Sequence, residues 1–253
     1  MIILLRLLPV LVAALQVAFF LIQMRYAQSY PWVVVWGVLI FRLAALAIGR
    51  GRIRQTHVFE KMTAPLVLLV SLAFALLLAE TLAAQAVIIS LAAIVSFLSL
   101  ELLFFLVFNP ARYPVNALSR LNLACVPLAA WYIASTFNGL LSFLQVEKLY
   151  IVAGMIALGA ILFFTTGHAG AERKHNLVWT MVGALAGAHA GLLGIWLPVS
   201  MPVQGAVAAF ILSAVLRARR FSHDPKPSRR QAWTEGIIAA VLLTALLGTA
   251  KWL

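Results

Sequence analysis

Apolar runs of roughly 20 residues follow one another along almost the whole of the 253-residue chain. Nine are read: Leu4–Met24, Pro31–Ile48, Ala64–Ala83, Gln85–Phe108, Leu123–Leu144, Leu149–Thr166, Leu177–Leu197, Met201–Leu216 and Trp233–Trp252. Coiled into a helix, a run of this length crosses the roughly 30 Å hydrocarbon core of a bilayer. The runs are continuous in Leu, Ala, Val and Ile and lack the polar–apolar alternation of barrel strands. Composition closes the soluble alternative, because 64% of residues are apolar and 10% charged. An average soluble protein is about half apolar and a quarter charged, and a soluble core of this size cannot hide the surplus. The expected fold class is therefore all-α, a polytopic transmembrane helical bundle of about nine spans. It forms a single transmembrane domain over 1–253 with short basic loops. The first run is long for a signal peptide and is expected to remain as an anchor.

The positions of lysine and arginine set the expected orientation. Arg50, Arg52, Arg54 and Lys61 lie between spans two and three, Arg112 and Arg120 between four and five, and Arg173 and Lys174 between six and seven. Arg217, Arg219, Arg220, Lys226, Arg229 and Arg230 fall between eight and nine, whereas the opposite side has Arg25, Lys148 and Lys251. Basic residues therefore mark alternate loops, which puts the amino terminus in the cytoplasm and the carboxyl terminus outside. The expected location is the bacterial cytoplasmic (inner) membrane. A net charge of +12 then reflects membrane orientation and contact with anionic lipid at the basic loops, with no nucleic-acid partner.

Little metal or nucleophile chemistry is available. Asp224 is the only aspartate, so the clustered carboxylates of a magnesium–diphosphate site are missing. His57, His168, His175 and His223 fall in loops or at helix ends, and His189 alone is well inside a span, which disfavours a membrane haem. No cofactor and no metal are expected. Cys125, the one cysteine, reads as a packing residue. Ala188-His189-Ala190-Gly191 is similar to the histidine helix of rhomboid proteases. That family also needs a serine in a Gly-x-Ser-Gly context, and without that segment the mechanism has no attacking group. No catalytic motif is found.

Three groups of residues stand out as candidate sites. Arg42 in span two and Glu101 in span four lie at nearly equal depth on the cytoplasmic side, about 10 Å from their helix ends. They are expected either to form a buried charge pair or to act on a transported solute, because an unpaired charge at such depth is costly. Glu80, Gln85 and Asn138 form an outer polar cluster. Gly183, Gly187 and Gly191 recur every four residues on span seven, which predicts close contact with another helix, and His189 is expected to bond to a facing helix.

These features point to a multi-pass membrane protein that serves as a non-catalytic membrane subunit or scaffold, with a protein partner in the membrane. A transporter of a small molecule or ion through Arg42 and Glu101, and a lipid-modifying enzyme at the cytoplasmic face, are the alternatives.

Overall fold

The computed structural model describes residues 2–50, 55–114, 116–166 and 173–223, together with 233, 234, 236, 237, 240, 241, 244, 248 and 250. Its elements are α1 (Ile2–Arg25), α2 (Tyr30–Gly49), α3 (Gln55–Leu77), α4 (Leu82–Phe108), α5 (Ala117–Leu144), α6 (Lys148–Thr165), α7 (Arg173–Trp196) and α8 (Met201–His223). Seven of the described helices are long and apolar enough to cross a membrane. The exception is α3, whose apolar part, Lys61–Leu77, is shorter. The ninth run, Trp233–Trp252, lies mostly outside the described residues, as do His168, Glu172 and Asp224.

Local chemistry explains several helix ends. Before α4, the Thr81 hydroxyl accepts the Ala84 N–H at 3.2 Å, so the helix starts at Leu82, three residues ahead of the sequence expectation. Upstream, α3 ends at Leu77 and not at Ala83, because the chain needs the turn that presents Thr81. At the end of α5, Gln145 takes a left-handed backbone (φ 50°) that stops the helix. The largest differences are in α3, which begins at Gln55, well ahead of the expected Ala64, and in α8, which runs past the expected Leu216 to His223. Arginine is a good helix former, so basic residues after an apolar run need not break it.

Contacts divide the chain into two compact units, Met1–Cys125 and Val126–Leu253. In the first, α1 packs chiefly on α4 and also on α2, while α2, α3 and α4 pack on one another. The α1 face turned inward carries Val12, Gln16, Phe20 and Gln23, a helical stripe with an amide at every second turn. Phe41, Ile48, Leu68, Leu72, Leu100 and Leu103 complete that core. In the second unit α7 packs against both α6 and α8, around Met155, Leu162, Phe163 and Leu212.

The outward faces are as apolar as the cores. Leu177, Val178, Met181, Leu185, Leu192 and Trp196 are all exposed on α7, and Val10, Val35, Leu43 and Ile94 on other helices. A soluble protein does not present apolar surface on this scale, whereas a bilayer solvates it. The chain is an integral, multi-pass helical membrane protein.

Candidate functional site

Charge inside the first unit centres on Glu101. This carboxylate lies seven residues before the end of α4, and its Oε1 accepts from Nη1 of Arg6 at 2.9 Å. Arg6 stands one turn into α1, and its guanidinium also lies over Phe104 and Phe105, with ring centroids 5.1 and 5.0 Å from Cζ. The ion pair that holds Glu101 thus comes from α1, with Arg42 at intermediate burial on α2. Depth along a helix axis restricts a partner to one level of the bundle. It does not say which neighbour delivers it, and α1 is the helix most closely packed on α4.

The outer polar residues divide between the units. Glu80 is exposed and Gln85 donates to the Ala79 carbonyl at 2.8 Å, both in the first unit. Asn138 belongs to the second and is buried there, its Nδ2 donating to Ala134 of its own helix at 3.0 Å. Within that unit Asn138 lies against Gly194 of α7.

On α7 the three glycines line a seam with α6. A Cβ at Gly187 would stand 2.1 Å from the Met155 carbonyl oxygen, and one at Gly183 would enter the Phe163 ring. Gly191 has more room, with Met155 Cβ at 3.2 Å. The partner helix contributes a glycine of its own: a Cβ on Gly159 would meet the Gly183 oxygen at 2.1 Å. His189 follows a different course from the expectation of an interhelical bond. Two residues past Gly187 is 200° around the helix, so the ring is exposed, and its Nδ1 bonds Leu185 O of the same helix at 2.8 Å.

One side chain that sequence reasoning assigned to a basic loop is buried. Arg219, 3% exposed, lies in the last turns of α8. Its Nη1 donates to the Phe163 carbonyl near the end of α6, and its Nη2 to Asn176 Oδ1 at the start of α7, at 2.8 Å. One guanidinium therefore joins three helices and meets a backbone carbonyl in the last turn of α6. The only advance signal was its spacing: Leu212, Leu216 and Arg219 follow the helical period of a buried face.

Other long-range polar contacts have the same form. Gln16 donates to Gly37 O at 2.8 Å, Gln23 to Ala73 O at 2.6 Å, Asn122 to Lys61 O at 2.9 Å and Trp131 to Pro202 O at 2.9 Å. In every case a side chain on one helix meets a backbone carbonyl on another. Several buried hydroxyls turn to their own helix, as with Ser71 to Val67, Ser99 to Val95 and Thr136 to Tyr132. Gln16, Phe20, Val33, Gly37, Leu69 and Ala73 are among the residues lining a narrow, mostly apolar cleft of about 10 Å³. Among the described residues no three His, Cys, Asp or Glu side chains come together as metal ligands, and Cys125 is a buried free thiol. No known family model matches the chain, and neither a curated protein nor a solved structure matches it.

Proposed function

We propose that this protein is a non-catalytic membrane subunit or scaffold, a single transmembrane domain of about nine spans. Its amino terminus is cytoplasmic and its carboxyl terminus outside, in the bacterial inner membrane, with the basic loops on anionic lipid. One observation carries the reading: beside the Arg6–Glu101 ion pair and the Arg219–Asn176 bond, the described polar side chains that reach across between helices donate to backbone carbonyls. A carbonyl bonded in this way fixes a helix contact. The N–H donor used in this way is no longer offered to a solute. A transporter built on Arg42 and Glu101 would keep ionisable groups for its cargo, and a lipid-modifying enzyme would place an acid or base at the cytoplasmic face.

The test is a triple variant, Arg6→Gln, Arg42→Gln and Glu101→Gln, expressed in cells lacking the native chain. A scaffold tolerates it, so the variant should reach the membrane at near wild-type level and restore whatever the deletion impairs. Normal membrane levels with no restoration would overturn the scaffold reading and favour transport. Loss of the variant from the membrane would contradict the claim that the charges are dispensable.

A further inference from the structure

Arg6 and Glu101 are held in an open geometry that a purely structural ion pair does not need. Arg6 is about 6 Å from the first residue of α1 at 1.5 Å per residue, where the span Leu5–Arg25 begins. Its side chain is 47% exposed, and that of Glu101 is 15% exposed. A guanidinium has five donors and a carboxylate two acceptor oxygens. The pair uses Nη1 and Oε1, and among the described residues no further hydrogen bond is made by either side chain. Two phenylalanine rings hold the guanidinium plane in place. What remains outward is a fixed set of N–H donors beside a carboxylate oxygen, at the edge of the bilayer.

Below this pair the surface is apolar on both helices. Val10, one turn after Arg6, is exposed on α1. Leu98 and Ile94, one and two turns before Glu101, are exposed on α4. Helical spacing puts Val10 under Arg6 and the other two under Glu101, so apolar side chains run from the charged pair toward the bilayer centre. At this boundary the ligand with matching chemistry has an anionic head and hydrocarbon tails. The pair itself is neutral overall, however, so it lacks the surplus positive charge that favours an anionic lipid. A zwitterionic head matches it better: phosphate oxygens accept from Arg6 in the fork geometry that guanidinium prefers, while an ammonium donates to Glu101.

We infer that Arg6 and Glu101, with Phe104 and Phe105 as the platform and Val10, Leu98 and Ile94 as the track, form a binding site for a phosphatidylethanolamine-type phospholipid. The site needs only insertion in a membrane, and its leaflet follows from the orientation proposed above. It is separate from the lipid contacts of the basic loops.

The experiment uses the full chain in detergent, with bound lipids counted by native mass spectrometry and thermal stability measured in parallel. Phosphatidylethanolamine, phosphatidylcholine and phosphatidylglycerol of equal chain length are added separately, and inorganic phosphate serves as the tail-free arm. The expected order is phosphatidylethanolamine tightest, with inorganic phosphate giving no stabilisation. Arg6→Gln should weaken phosphatidylethanolamine binding about tenfold, the worth of one charge-assisted hydrogen bond. Glu101→Gln keeps the guanidinium, so it should retain lipid and reverse the preference toward phosphatidylglycerol. Lipid counting on the folded fraction keeps the test valid if either variant is less stable. Equal binding of the three lipids by the wild type, an unchanged lipid profile in both variants, or a response to inorganic phosphate alone would each overturn the inference.

Discussion

Replacing Gly187 with alanine adds one methyl group at one of the two tightest points of the α6–α7 seam. That carbon would lie 2.1 Å from the Met155 carbonyl oxygen and 2.9 Å from its carbonyl carbon, with Ile156 Cα at 3.3 Å. Carbon–oxygen contacts between helices settle near 3.3 Å, so the two backbones must separate locally by about 1 Å. The obstructing atoms are backbone, and no rotamer change can remove them. Overpacking of this kind costs about 1–3 kcal/mol, and the rigid obstacle places Gly187→Ala in the upper half of that range. Gly191→Ala is the internal control, because its nearest neighbours are Met155 Cβ at 3.2 Å and Val152 Cα at 3.4 Å. It should cost less than about 1 kcal/mol. Gly159→Ala acts on the same seam from α6, so combined with Gly187→Ala it should cost less than the two singles added: once the helices have parted, the second methyl enters an existing gap. Steric trapping in lipid–detergent discs, read by tryptophan fluorescence, gives the unfolding free energies. A cost at Gly187 no greater than that at Gly191 would refute the reasoning.

Three further expectations follow from individual contacts. Arg219→Met removes the donors that meet the Phe163 carbonyl and Asn176; leaving buried acceptors unmatched should cost about 2 kcal/mol, with Asn176→Ala costing less, by the same unfolding measurement. Gln145→Gly relieves a left-handed backbone in a residue with a Cβ, so it should raise stability by about 0.5 kcal/mol after the entropy lost by glycine is deducted, seen as a small rise in melting temperature. A double-mutant cycle on Arg6→Leu and Glu101→Leu should show a coupling of about 1 kcal/mol, modest because the arginine is half exposed, whereas additive losses would mean that the pair contributes nothing.

The sequence pattern made the helical class legible because a bilayer imposes one length and one polarity on every span. Gly183, Gly187 and Gly191 could be picked out as a stripe for a related reason: recurrence every four residues already defines a face. Their partner Gly159 could not, since one glycine in an apolar run has no period. Arg219 was hidden by its neighbours, because Arg217 and Arg220 made the segment look like a solvated loop while the helix carried on through it. Arg6 was overlooked as a partner for Glu101 because it stands near a helix end, where arginines ordinarily reach the headgroups unaided. Hydropathy along a chain fixes the depth of a residue, whereas the identity of the facing helix depends on packing that no single run encodes.

The most direct test of the scaffold reading is the mass of the particle that contains this chain. Extracted from its own membranes in lipid–polymer discs, without detergent, and weighed by native mass spectrometry, the chain should appear with a second protein at fixed stoichiometry. Removing the chain from cells should also lower the abundance of that partner. A particle containing only this chain and lipid, together with solute flux that Glu101→Gln abolishes in reconstituted vesicles, would contradict the account.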